Sequence, residues 1–469
     1  MQEVHLGDRV VHPDHGTGLV LKLFPGGRAR VRFDGSHPLP RTVDVCHLQC
    51  EDVEMEEKIP PPAEVMQPPI IQRPRQPIDR DTAIVRQALE ALRLGVVPSS
   101  HVEDYTVGRS DEVRSVESLL EDCRGLRLVW GDYGTGKTHI LDLAEQAGIR
   151  AGFVTARVVL NPREVPPAHP MRLYRAFLMN LKYPDETGTG WRPLLNRLEG
   201  SKDHAEPGGK AYSRFFSPVL YALRSGDQDA IDWVSDYIEG YRMDSCEVTR
   251  AVRSVGWRGE GLLALSDYRT YGRMYVHMMG TLACWARDAG YRGLLLLMDE
   301  VEYVDSLHWG LRALASQVLM HYAAVTLPRK LLAFEEEHLY RGGHAVHRAI
   351  NLSFREGQPL AVVMALTPLN EMVLLARNIL RDDTVFVGLK PLGREDFMAL
   401  IQKVIALYRR GFPDFKPAWR SRRELNARIL DELTFGETSP REAVRTVVSV
   451  MDCLRYGRDP FDEYDPFHE

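Results

Sequence analysis

The chain has 469 residues, 44% of them hydrophobic and 26% charged, with a net charge of −6; these are ordinary values for a globular protein of about three domains at roughly 150 residues each. They exclude a chain-wide affinity for polyanions, so any contact with nucleic acid has to be local. No apolar run approaches the roughly 18 residues that cross a bilayer, and MQEVHLGDRV lacks the plan of a signal peptide, so a cytoplasmic location without membrane contact is expected.

Residues 1–53 read as short alternating strands cut by Gly and Pro turns: GDRVVHP, GTGLVLKLF, RARVRFDG and RTVDVCHL. In RARVRF the period of two puts Arg28, Arg30 and Arg32 on one face and Ala29, Val31 and Phe33 on the other. The arginine face is either a solvated outer surface or a contact for an anionic partner. The six cysteines are scattered in the manner of reduced thiols, and Cys46, His47 and Cys50 have the spacing of half a zinc site, with no second pair downstream. GDRVVHPDHGTGLV followed by ARVRFDG resembles the small SH3-like (Tudor-like) barrels of bacterial transcription-repair factors and of UvrD-type helicases. The resemblance implies a site for a protein partner or nucleic acid, without catalysis.

A proline-rich linker spans 54–82. DTAIVRQALEALRLG then predicts a helix whose apolar stripe is Ile84, Ala88, Leu89 and Leu92. The core, 83–395, alternates strands and helices. Apolar runs at 126–130, 152–160, 293–299, 359–367 and 384–389 suit parallel strands buried on both faces. Between the second and third, about residues 161–290, lies more helical pattern than one crossover needs, which predicts an inserted helical region. Residues 396–469 read as a helical lid. The expected fold class is therefore α/β, a parallel P-loop sheet with a helical insertion and lid, preceded by the small all-β barrel.

GDYGTGKT follows the first core strand and opens a helix, the context in which GxxxxGK[ST] cradles phosphates. Gly131, Asp132, Tyr133, Gly134, Thr135, Gly136, Lys137, Thr138 and His139 are the expected ATP-binding residues, with Lys137 reaching the outer phosphates and Thr138 ligating magnesium. LLLLMDEVEYVD delivers Asp299 at a strand end for the magnesium shell, and Glu300 next to it as general base; Glu302 and Asp305 read as solvated helix residues. In VVMALTPLNEM, Thr367 ends a strand expected beside the one carrying Asp299, where it can contact the γ-phosphate or the water, and Asn370 suits a turn or cap. In TSPREAVR, Thr438 or Ser439 caps a helix starting at Pro440, with Glu442 in the first turn and Arg441 projecting near the start. Residues 403–428 gather Lys403, Arg409, Arg410, Lys416, Arg420, Arg422, Arg423 and Arg428 with Tyr408, Phe412, Phe415 and Trp419 interleaved. This is either a phosphate-contacting surface or a solvated lid with core aromatics.

YTVGRSDEVRSVESLL resembles the VGR-x-x-E segment ahead of the P-loop in initiator-like and STAND-type ATPases, which implies that the backbone near Val107 and Gly108 lies against adenine. In AAA+ ATPases a lid-helix arginine touches the γ-phosphate, which the resemblance places at Arg441. Arg377 or Arg381 occupy the region of an arginine supplied to a neighbouring subunit. ALEALRLGVVPSSHVEDYTVGR, LRLVWGDYGTGKTHILDLAEQA, GFVTARVVL, RLYRAFLMNL, GYRGLLLLMDEVEYVDSL and VVMALTPL together resemble the BREX-system ATP-binding P-loop family over roughly residues 84–455. That resemblance implies an ATPase of anti-phage defence, using ATP and Mg2+ with the Walker residues Gly131, Gly136, Lys137, Thr138, Asp299 and Glu300; with Thr367 and Arg441 from the readings above, Glu300, Thr367 and Arg441 are the expected catalytic residues. It also implies work beside a helicase, methyltransferase or nuclease, while Glu300, the arginine candidates and the basic window lead us to expect a homo-oligomer acting on duplex DNA through the lid region, and possibly the barrel. The alternative is a nucleotide-dependent switch that recruits partners with little turnover. A small-molecule kinase suits the Asp299-Glu300 pair poorly.

Overall fold

The computed structural model describes residues 4, 8–24, 28–34, 41–50, 79–98, 100–335, 339, 352, 354–367, 371–415, 422–433, 439–458, 460 and 461. The chain divides into two units, Met1–Gln76 and Pro77–Glu469.

In the first unit, β1 (Arg9–His12), β2 (Gly16–Phe24), β3 (Arg28–Phe33), β4 (Arg41–Asp44) and β5 (Gln49–Cys50) form one antiparallel sheet in the order β4-β3-β2-β1-β5. The period-two pattern of β3 decides its faces: Ala29 and Val31 are buried with Val10, Val20 and Leu48, whereas Arg28 stays half-buried, 3.9 Å from Asp44. Among the described residues no ladder joins the edges β4 and β5, so an open five-stranded sheet is what is seen, without the closure a barrel needs. Cys46 and His47 are exposed, and the Cys50 side chain lies outside the described residues, as does most of the proline-rich stretch.

The second unit begins with α1 (Arg80–Arg93), capped by Asp79, whose carboxylate accepts the Thr82 N–H at 2.9 Å. Its buried stripe is Val85, Ala88, Leu89 and Leu92; Ile84 is only half-buried, one position round the helix from the expected stripe. The cause lies in the partner. Val85 and Leu89 pack on Gly411, where an added Cβ would stand 2.8 Å from Leu89 Cδ1.

The core strands are β6 (Gly125–Trp130), β7 (Val154–Val159), β8 (Leu181–Lys182), β9 (Leu294–Asp299), β10 (Leu360–Leu366) and β11 (Phe386–Gly388). They form one sheet in the order β11-β6-β10-β9-β7-β8, parallel except for β8. All five expected strands are present, four slightly shortened at their ends and the first one residue longer. Alternate residues of β9 serve two cores: Leu294, Leu296 and Met298 face one, Leu295 and Leu297 the other. Each such leucine is fully buried, which stabilises the fold by about 1.5–3 kcal/mol.

On the second face lie α1, α2 (Ser110–Glu121), α3 (Lys137–Arg150), α13 (Arg394–Gly411), α14 (Arg422–Glu432) and α15 (Pro440–Arg455). The first face is covered by the region between β7 and β9: α4 (Pro170–Met179), α5 (Arg192–Leu198), α6 (Lys202–Ala205), α7 (Ser217–Ser225), α8 (Gln228–Ile238), α9 (Ser245–Ser254) and α10 (Gly272–Asp288). With α11 (Trp309–Thr326) and α12 (Glu371–Ile379) these helices share one core with the strands, filled by Tyr174, Phe177, Trp257, Tyr275 and Trp285. The extra helices are thus a structural layer of the sheet.

Candidate nucleotide site

Parallel strands end together, and here the register aligns Val159 with Asp299 and Leu366 with Trp130, so the loops beyond them converge on one edge. From β6 the chain enters the phosphate loop. An added Cβ at Gly131 would stand 2.6 Å from Thr135 Oγ1, and Gly134 and Gly136 have φ of +80° and +100°, so glycine is required at all three. The loop then opens α3, whose first residues, Lys137, Thr138 and His139, line the cavity at the helix end where N–H groups lack a helical partner.

Lys137 is buried; its Nζ donates to the carbonyls of Gly131 at 3.0 Å and Asp132 at 3.3 Å, and lies 3.8 Å from Glu302. The Thr138 hydroxyl donates to Asp299 Oδ2 at 3.1 Å, across 161 residues of sequence. Asp299 is 4% exposed, and its Oδ1 accepts the Glu300 N–H at 3.0 Å. Glu300 adopts φ +59°, a left-handed conformation that costs a non-glycine residue energy and is stored mainly at functional sites. Burial and the neighbouring Asp299 hold its carboxyl above the usual range, partly offset by Lys137 and Arg441.

Arg441 occupies the first turn of α15 and lines the cavity. The Ser439 hydroxyl accepts the Glu442 N–H while the Glu442 carboxylate accepts the Ser439 N–H, the reciprocal cap that TSPRE encodes; Thr438 lies outside the described residues. Tyr133, 84% exposed, places its hydroxyl 3.5 Å from the Arg441 guanidinium. Val107 lines the cavity, and Gly108 beside it takes φ +61°. His139 meets the Thr106 hydroxyl at 2.8 Å and packs on Tyr105; burial, and then Arg109, push its pKa down to about 4, so the ring is neutral.

Not every expected residue lines this cavity. Asp132 is exposed and contributes its carbonyl to Lys137. Thr367 does follow a strand lying between β6 and β9, but it is absent from the cavity wall. Asn370 lies outside the described residues. Arg377 spreads over the rings of Trp130 and Phe386, and Arg381 is exposed. In the basic window Tyr408, Phe412 and Phe415 are core aromatics, Arg410 pairs with Asp104, and Lys403 donates to the Thr106 carbonyl. Lys416, Trp419 and Arg420, and the side chains of Arg422 and Arg423, lie outside the described residues.

Three residues join the site unannounced. Glu302, expected to be solvated, lines the cavity, because a 3-10 turn after Glu300 folds it back towards Lys137. Arg109 is buried and donates to the carbonyls of Thr135 at 2.7 Å and Lys390 at 2.8 Å, tying the loop to the segment before α13. Arg157 on β7 bridges Asp142 at 2.6 Å and Asp299 Oδ2 at 3.0 Å. A charge inside the apolar run GFVTARVVL was its signal.

The residues fit a magnesium nucleotide. A hydroxyl and a carboxylate converge as hard oxygen donors, and Glu302 Oε2 is a buried oxygen with no protein hydrogen-bond partner at the same place. Residues 81–198 match a family model described as BREX system ATP-binding protein BrxC/D, a segment running from α1 through the phosphate loop and β7 and stopping before β9. No curated protein matches the chain. Among the described residues no helix is long and apolar enough to cross a membrane.

Proposed function

We propose that the chain is an ATPase of a BREX-like defence system. The observation that carries this reading is the Thr138–Asp299 contact of 3.1 Å at the mouth of the phosphate loop, with Glu300 next in the chain. Lys137, already poised on loop carbonyls, moves onto the outer phosphates, and Arg441 supports them from the lid. Thr138 and Asp299 would hold magnesium, which supplies charge neutralisation on the phosphates when bound. Glu300 orients the attacking water and takes its proton, a role its raised basicity favours. Thr367 contributes from the end of β10, and the Val107–Gly108 backbone receives the base.

Assembly with further copies, contact with duplex DNA through the lid region or the N-terminal sheet, and work beside other defence proteins belong to the same reading. Of these, work beside other defence proteins is supported by the matched family's printed association with the BREX system, and contact with DNA by the lysines and arginines gathered in residues 403–428. Hydrolysis by the purified protein tests the core of the proposal. Lys137→Ala is expected to abolish nucleotide binding, while Glu300→Gln binds ATP and turns over at least about tenfold more slowly. Equal turnover in wild type and Glu300→Gln removes the base assignment. The Arg157–Asp299 bond favours a second reading, a switch that retains nucleotide with little turnover, because it holds the metal-side carboxylate in a fixed pose. Slow turnover untouched by Glu300→Gln or by DNA would select it.

A further inference from the structure

Beside the nucleotide cavity lies a second chamber that shares Gly95, Val96, Val97, Thr138 and Arg441 with it. Three guanidinium groups line this chamber, Arg157 from β7 and Arg441 and Arg445 from α15, against one carboxylate, Asp142. Arg441 and Arg445 are one turn apart and so occupy the same face of the helix. Gly95 makes room for both: a Cβ there would stand 2.9 Å from Arg445 Cδ and 3.2 Å from Arg441 Cγ. Asp142 is already engaged by Arg157 at 2.6 Å, so it does not neutralise the two arginines of α15. Arg157 is shared by Asp142 and Asp299, Glu300 and Glu442 act on Arg441 and Arg445, and what the two α15 arginines bring to the chamber is planar N–H forks, the donor geometry that recognises tetrahedral oxyanions.

On the ATPase reading the loop amides of the first cavity hold the intact nucleotide, and the lining shared with the second chamber gives the released group a way towards it. We propose that this chamber is a binding site for inorganic phosphate, held by Arg441 and Arg445 after it leaves the γ position and before it reaches solvent. The proposal rests on the ATPase reading. It differs from it in the residue it names, because Arg445 lines the second chamber only.

The test uses the full chain saturated with Mg-ADP and titrated with inorganic phosphate, following the thermal midpoint, with chloride at equal ionic strength as control. Phosphate is expected to raise the midpoint of the wild-type ADP complex. In Arg445→Gln the phosphate concentration needed should rise at least about tenfold with ADP affinity unchanged, and Arg445→Lys, which keeps charge but loses the fork, should fall between. A phosphate response equal in wild type and Arg445→Gln, or one reproduced by chloride, overturns the site. A wild type that binds ADP but ignores phosphate overturns it too. If ADP itself gives no shift, the ATPase reading fails, and this proposal with it.

Discussion

Arg157 sits between two buried carboxylates, and its removal has a calculable cost. Asp142 and Asp299 are 7% and 4% exposed, and both accept from this one guanidinium. Arg157→Met leaves two buried like charges without a counter-ion, which should destabilise the fold by about 3 kcal/mol, read by denaturant unfolding. Asp142→Asn, which leaves the Asp299 pair intact, should cost less. This residue shows where reading the sequence stops. An arginine within an apolar strand announces a buried partner, but the partners lie on α3 and β9, and only the folded sheet brings them together. Glu302 escaped for a related reason: the helical reading of EVEYVD aims it at solvent, and the actual 3-10 turn aims it at Lys137. By contrast Lys137, Thr138, Asp299 and Glu300 were legible, because each follows directly from a strand end or a helix start.

At the scale of elements, the cap of α15 links stability to the site, since its first turn carries Arg441. Ser439→Ala should cost about 0.5–2 kcal/mol, measurable as a lowered unfolding midpoint. The cap also has a pH signature. Hydrogen bonds from Ser439 hold the Glu442 carboxyl below its usual range, so the folded form keeps its charge at lower pH than the unfolded chain does. The stabilisation is complete above the ordinary glutamate value and is lost as pH falls through the depressed one. Glu442→Gln should flatten that acid limb, and because the group is exposed the effect will be small. Buried strands and capped helices were the readable elements here, since continuous apolar runs and Ser-Pro-x-Glu spacing are local signals. The two-residue β8 was not, because it exists only through its pairing with β7.

For the whole molecule, every residue lining the nucleotide cavity comes from the unit Pro77–Glu469. A chain starting at Pro77 should therefore bind nucleotide with unchanged affinity, checked by fluorescence titration against the full chain; a loss greater than about threefold would assign the N-terminal sheet a part in the site. The strand order carries a further consequence, for synthesis. β10 fills the gap between β6 and β9 but follows both in the chain, so in a growing polypeptide β6 has no strand to pair with and the partial sheet β9-β7-β8 has an unpaired apolar edge. β10 joins them only when Leu360–Leu366 leaves the ribosome, and the Thr138–Asp299 contact is expected to be fixed only then. A premature stop before Leu366 is therefore expected to leave a split sheet prone to aggregate, with the candidate nucleotide site unassembled.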